Sequence, residues 1–248
     1  MNVSKFEETK LPIVEIFSSI SGEGISNGEI VSFVRVAGCN LRCSYCDTQY
    51  SYDEHSNDNI YLSPNEIVKK LNKLGCKKII CTGGEPLEND KAKRYLPIYL
   101  STKGFSVRIE TNGSVPLYTK EEINKFTKEK ELININYTLD IKSPSSKMSE
   151  YNIFKENFLK LRDKDEIKFV VGSKNDLKYA MEVINSYSKK LSKNSVVINF
   201  SPVFKQIKVD EIIEFLKEKN KYFEKNNLLV RLSLQIHKYI WSPETRGV

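Results

Sequence analysis

The chain lacks the features that mark several large classes of protein. No apolar run reaches the roughly 18 residues that a membrane-crossing helix needs, so no membrane partner is expected. The opening segment, Met1 to Lys10, is polar and mixed in charge, without the apolar stretch of a secretory signal. Five cysteines are an odd number and do not make a disulfide framework. Together these absences point to a reducing compartment and a cytoplasmic protein. Arginine-rich stripes and aromatic stacking modules are missing, so nucleic acid is not an expected partner. Internal repeats, low-complexity tracts and long linkers are missing too, and residues 1–248 read as one domain.

What is present is an ordinary globular composition. Hydrophobic residues make up 40% and charged residues 29%, enough apolar material for a core. The charge sum is 39 − 32 = +7. The excess is mostly lysine dispersed among acids, as at Lys69-Lys70, Lys77-Lys78 and Lys189-Lys190. That pattern reads as a solvated surface, with room for an anionic substrate or partner.

Strand and helix patterns alternate almost throughout. Apolar segments at Leu11–Phe17 and Ile30–Ala37 flank a loop, Ser21-Gly22-Glu23-Gly24. A polar loop carrying cysteines follows from Gly38 to about Asn59. Ser63-Pro64-Asn65-Glu66 is a capping box with proline at the first helical position. Ile67, Val68, Leu71 and Leu74 mark one helical face, and Gly75 is placed to end it. Strands are predicted at Lys77–Cys81, Phe105–Glu110, Leu132–Ile141, Ile167–Val171, Val196–Phe200 and Leu228–Leu234. Helices are predicted at about Leu87–Thr102, from a capping box at Thr119 with Glu122, at about Ser149–Arg162, from Ser173, and at about Val209–Lys221. This alternation implies parallel strands with helical crossovers, an α/β fold. Chemistry in such folds lies at the carboxyl ends of the strands. The cysteine loop, Thr82-Gly83-Gly84-Glu85-Pro86, Thr111-Asn112-Gly113 and Ser143-Pro144 all fall there.

Cys39-Asn40-Leu41-Arg42-Cys43-Ser44-Tyr45-Cys46 has the spacing C-x3-C-x2-C. Three thiolates this close can meet one soft metal centre. A zinc site would want a fourth ligand, for which His55 is the nearby candidate. Three thiolates can instead hold three irons of a four-iron cluster and leave the fourth open. Spacing leaves both readings standing.

The cysteine pattern, followed by Asp47-Thr48 and about forty residues later by Gly83-Gly84-Glu85-Pro86, resembles the radical S-adenosylmethionine (SAM) enzymes. The resemblance is closer to the 7-carboxy-7-deazaguanine synthase family. It extends over Glu15 to Gly24, Phe33 to Cys39, Cys46-Asp47-Thr48, Thr82 to Pro86, and the tail from Gln235-Ile236-His237-Lys238 through Arg246-Gly247-Val248.

That resemblance implies a partial (β/α) barrel of radical SAM type. It implies a [4Fe–4S] cluster on Cys39, Cys43 and Cys46, with SAM chelating the open iron and yielding a 5′-deoxyadenosyl radical on reduction. The SAM site would include Tyr45, Cys46, Asp47, Gly84, Glu85, Asp140, Ile141 and Lys142, with Glu110 near the ribose. Gly84 would offer backbone where a side chain would intrude, and Glu85 would meet the SAM amino group. At 140–142 the family often reads Ser-Pro-Lys, so Lys142 is the clean match. The implied substrate is 6-carboxy-5,6,7,8-tetrahydropterin, contacted by Ile20, Ser21, Gly22, Arg35, Thr82 and the carboxylate of Val248. Ser21 stands where the family has glutamine. Thr48 matches a Mg²⁺ position, and His237 is structural or substrate-adjacent. Cys76 and Cys81 are expected to pack as small apolar residues. A homodimer, and reduced flavodoxin or ferredoxin as electron donor, are further implications. Two rivals remain on the residues alone: another radical SAM enzyme, such as an activase of a glycyl radical, and a zinc-binding interaction module.

Overall fold

The computed structural model describes residues 3–127 and 134–248. Its described strands join one nine-stranded sheet. In chain order these are β1 (Leu11–Ile20), β2 (Ile30–Val36), β3 (Ile60–Leu62), β4 (Lys78–Gly83), β5 (Ser106–Thr111), β6 (Ile135–Ile141), β7 (Glu166–Val171), β8 (Val197–Pro202) and β9 (Leu229–Leu232). The spatial order is β3-β1-β2-β4-β5-β6-β7-β8-β9. From β2 onward every pairing is parallel. At the other edge β1 pairs antiparallel with both β2 and β3. The expectation of parallel strands is corrected there, because the short loop after β1 allows a hairpin and no crossover helix.

The helices are α1 (Val3–Glu8), α2 (Pro64–Leu74), α3 (Leu96–Thr102), α4 (Lys120–Asn124), α5 (Phe154–Phe158), α6 (Lys174–Lys193), α7 (Val209–Lys225) and α8 (His237–Ile240). Side-chain and backbone caps start three of them as the sequence foretells. Ser63 with Glu66, Thr119 with Glu122 and Ser173 with Asp176 each form the reciprocal box. Gly75 closes α2 at φ 79°. Two expected helices are shorter than their apolar content suggested. Within 87–102 regular α-helix begins at Leu96, after a tight turn at Ala92–Tyr95. Within 149–162 only Phe154–Phe158 is α-helical, after a tight turn at Ser149–Tyr151. The expected start of β6 at Leu132 lies outside the described residues. Among the described residues no helix is long and apolar enough to cross a membrane.

Period-two alternation along the parallel strands separates two faces. In β7, Ile167, Phe169 and Val171 are fully buried in the core under the helices. Glu166, Lys168 and Val170 alternate with them. In β6, Ile135, Tyr137, Leu139 and Ile141 belong to the same core, and Asn136, Thr138 and Asp140 alternate. On β6 and β7 the inner face is therefore mostly polar, with Val170 the apolar member, whereas Phe17, Phe33 and Ile80 line it from β1, β2 and β4. Glu166 accepts hydrogen bonds from Thr138 Oγ1 (2.7 Å) and Asn199 Nδ2 (2.6 Å) and lies 3.3 Å from Arg108 Nη1, satisfying a carboxylate that is 0% exposed.

The sheet is an incomplete (β/α) barrel. Loop residues after β1 reach its far side: Gly24 N donates to Ser233 Oγ and Ile25 N to Glu166 Oε2, both at 3.0 Å. Cys81 packs in the core as expected. Cys76 is half-exposed and its thiol donates to the carbonyls of Ile30 (3.3 Å) and Lys78 (3.5 Å).

Candidate active site

Strand ends and the loops beyond them enclose a cavity of about 380 Å³, a size that suits a small organic molecule. Its wall has two parts of different make. On one side the cysteine loop, residues 38–48, lies against the turns after β4 and β5. On the other, side chains of β6 and β7 face the β1–β2 loop and the segment after β9.

The cysteine side is stitched largely by main chain. Gly84 N donates to Val36 O (2.9 Å) and Glu85 N to Gly38 O (2.8 Å). A Cβ on Gly84 would stand 2.0 Å from Gly38 O, so only glycine allows this approach. Lys93, 2% exposed, donates from Nζ to the carbonyls of Ala37 (2.8 Å) and Gly38 (2.7 Å) and pairs with Glu88. Glu85 is fully buried. Its carboxylate accepts from Leu87 N (2.8 Å), Thr111 Oγ1 (2.8 Å) and Asn112 N (2.7 Å). Burial pushes its pKa up, and these donors offset part of that rise. Cys39, Cys43 and Cys46 face the cavity from this loop as free thiols. Burial raises the thiol pKa of Cys39 and of Cys43. The Tyr45 hydroxyl beside them is buried with no hydrogen-bond partner among the described residues.

The opposite side is held by charge. Lys168 Nζ lies 2.8 Å from Glu23 Oε2 and 3.2 Å from Asp140 Oδ1, and Lys142 Nζ lies 3.2 Å from Asp140 Oδ2. Gln235 Nε2 donates to Glu23 Oε1 (2.6 Å). Lys238 Nζ donates to Gln235 Oε1 (2.9 Å) and to Asp47 Oδ2 (2.6 Å). An alternating chain thus runs from Lys142 round the cavity to the cysteine loop. Burial alone would discharge Lys142 and Lys168, but the Asp140 carboxylate between them raises both. Burial likewise opposes the charge of Asp140, and Lys168 and Lys142 outweigh it, holding its carboxyl below the usual value.

At the rim, Arg35 Nε pairs with Glu15 Oε1 at 2.6 Å. Its Nη atoms have no hydrogen-bond partner among the described residues. Tyr50 donates to the same Glu15 oxygen (3.3 Å), and the Arg246 guanidinium lies 3.9 Å over the Tyr50 ring. The tail from Pro243 to Val248 lines the cavity.

The family model described as the radical SAM superfamily matches residues 33–218, three quarters of the chain. A 7-carboxy-7-deazaguanine synthase of Clostridium acetobutylicum is 39% identical, over 95% of this chain and 98% of its own. Another, from Methanospirillum hungatei, is 33% identical over 96% and 88%. The chain belongs to the 7-carboxy-7-deazaguanine synthase family. A crystal structure of QueE from Escherichia coli shares its fold at a TM-score of 0.69, with 21% identity, covering 93% of this chain and 96% of that one.

Most residues expected from the synthase resemblance meet at this cavity: Cys39, Cys43, Cys46, Tyr45, Asp47, Thr48, Gly84, Asp140, Lys142, Glu110, Ile20, Ser21, Gly22, Arg35, Thr82 and Val248. Two do not. Glu85 is turned into the fold, its buried carboxylate accepting from three donors. Ile141 packs in the core, because alternation along β6 turns it away from Asp140. Glycine at 84 also serves the fold itself, since a side chain there would strike Gly38. The Ser21 hydroxyl is tied within its loop, to Glu23 O (3.1 Å) and Ser26 Oγ (2.8 Å). Gly22 makes room for His237, whose Nδ1 would lie 2.0 Å from an added Cβ. Burial lowers the pKa of His237.

Among the described residues no three His, Cys, Asp or Glu side chains gather as ligands of a single ion. His55, the candidate fourth zinc ligand, has a side chain 81% exposed and lies 3.4 Å from Glu54. Three soft thiols beside an unpartnered buried hydroxyl suit a multi-iron centre with an open position.

Sequence reasoning missed Glu23, Lys168, Gln235, Lys238 and Tyr50 as wall residues. Lys168 had a signal, a lone charge inside the apolar run Ile167–Val171.

Proposed function

We propose that the chain converts 6-carboxy-5,6,7,8-tetrahydropterin to 7-carboxy-7-deazaguanine with loss of ammonia, a lyase step in queuosine precursor synthesis. One observation carries the reading: three thiols, a half-free guanidinium and an ion-paired wall share one cavity, in a member of the synthase family. In this reading Cys39, Cys43 and Cys46 hold a [4Fe–4S] cluster, and SAM lies against Tyr45, Cys46, Asp47, Gly84, Asp140 and Lys142. Once bound, cluster and SAM supply a one-electron reduction and a carbon radical that takes a hydrogen atom.

The remaining work belongs to side chains. Glu15 keeps Arg35 oriented while its two Nη atoms take the substrate carboxylate in a fork. Backbone of Ile20, Ser21 and Gly22, the Thr82 hydroxyl and the Val248 carboxylate complete the pterin site. Lys142 and Lys168, each 3.2 Å from an Asp140 oxygen, provide positive charge at the cavity wall. The closed wall of ion pairs keeps water from a reactive intermediate and holds reactants in register. Thr48, whose side chain lines the cavity, would offer its hydroxyl to a Mg²⁺ that would help to orient the substrate. The whole chain works as one domain, as a cytoplasmic homodimer reduced by flavodoxin or ferredoxin.

The test is anaerobic reconstitution with iron and sulfide, then incubation with SAM, Mg²⁺, reductant and 6-carboxytetrahydropterin. Mass spectrometry should find 7-carboxy-7-deazaguanine, with SAM mostly recovered. Release of 5′-deoxyadenosine without product would transfer the reading to another substrate. Neither, from protein with an intact cluster, would overturn catalysis.

A further inference from the structure

We infer that Asn112 donates an amide hydrogen bond to the sulfur of Cys39 and thereby raises the reduction potential of the cluster that Cys39 helps to hold. This rests on the cluster reading above.

Asn112 is 8% exposed, just past β5. Its Nδ2 lies 3.8 Å from Cys39 Sγ and 2.9 Å from Asn40 Oδ1. The orientation of an amide must be read from its partners. Here the oxygen end is already committed, accepting from Ser114 N (3.0 Å) and Ser114 Oγ (2.7 Å). The NH₂ end is therefore the one that faces sulfur. Main chain fixes the residue as firmly: Asn112 N donates to Glu85 Oε2 at 2.7 Å, and Glu85 N is bonded in turn to Gly38 O, one residue before Cys39. The buried glutamate thus ties the donor and its acceptor to one rigid turn. Leu41 N is a second donor to the same sulfur, at 3.5 Å. Cys46 Sγ has a hydroxyl neighbour instead, Thr48 Oγ1 at 3.6 Å.

An N–H dipole aimed at a ligating sulfur favours the more negative, reduced state of a cluster. Asn112 acts through Cys39, as a positioning residue that makes reduction easier.

The experiment is a redox titration followed by electron paramagnetic resonance, on the anaerobically reconstituted full chain, without and with SAM. It compares the unsubstituted chain with Asn112→Ala and Asn112→Asp. The second keeps size and both Ser114 contacts and exchanges donor for acceptor. Without SAM, both variants should have a more negative midpoint potential, Asn112→Asp by more. An exchangeable-proton coupling to the reduced cluster should be lost in both. Unchanged potentials without SAM, with a shift only when SAM is present, would overturn the inference in favour of a contact to SAM. Loss of the cluster from both variants with unaltered circular dichroism would overturn it in favour of cluster retention. Failure of the unsubstituted chain to take up a four-iron cluster would instead strike the function proposed above.

Discussion

The two walls of the cavity reach rigidity by different physics. On the cysteine side the decisive contacts involve main-chain atoms: Gly84 and Glu85 amides on Val36 and Gly38 carbonyls, and a glutamate accepting two more amides. On the β6–β7 side the contacts are between side chains that carry charge. The first kind needs few residue types in fixed places and tolerates little volume. The second depends on every member, since a buried charge stripped of its partner is costly.

Substitutions that break one wall and spare the other sharpen this contrast. The largest effect is expected from Lys168→Met. It leaves Asp140 and Glu23 facing each other across a lost ammonium, and unfolding in denaturant should show a loss of about 3–5 kcal/mol. Adding Glu23→Gln, which removes the other carboxylate and leaves the Asp140–Lys142 pair intact, should restore part of that loss; a double variant no more stable than the single would refute the ion-pair account. Next comes Gly84→Ala on the main-chain wall. One methyl pressed against Gly38 O should cost about 1–3 kcal/mol and lower the iron retained per chain, measured side by side. Full iron retention at unaltered stability would mean that the turn and the cysteine loop separate freely.

The smallest effect is in pH dependence, and its sign differs between walls. The folded pKa of Asp140 lies below its ordinary 3.8. Its contribution is complete above that value and is lost as pH falls below it. The folded pKa of Glu85 lies above its ordinary 4.5. The folded state then binds that proton first, so stability rises as pH falls toward 4.5. Denaturation midpoints from pH 3 to 7 should therefore lose their acid limb in Asp140→Asn and their upper slope in Glu85→Gln. A single variant that flattens both limbs would show the walls to be one unit.

Much of the scaffold was legible because its signals are local. Capping boxes at Ser63 and Thr119, the helix start at Ser173 and the strand at Ile167–Val171 depend on residues a few positions apart. Strand direction at the hairpin edge was not, since periodicity carries no sense of pairing. The broken helices at 87–102 and 149–162 had helical composition overridden by tertiary contacts; Arg94, for instance, is committed to Leu87 O (2.5 Å), Pro116 O (2.9 Å) and Glu122 (2.7 Å). The cysteine wall was readable from motif spacing, whereas of the charged wall only Asp47, Asp140 and Lys142 were named, through the family resemblance. Lys168 and Glu23 lie 145 residues apart and Lys238 and Asp47 lie 191 apart. The direction in which the Glu85 carboxylate points, into the turn after β5, was likewise not legible in its motif.

Those long separations also bear on how the protein is made. Gly24 waits 209 residues for Ser233, and Glu23 waits 212 for Gln235. Synthesis proceeds from the amino end, so the cysteine loop leaves the ribosome early while the segment that seals it is translated late. The partners that stitch the cysteine loop, Gly84, Glu85 and Asn112, follow within about 75 residues, whereas the bond from Lys238 to Asp47 that closes the cavity waits for the last segment.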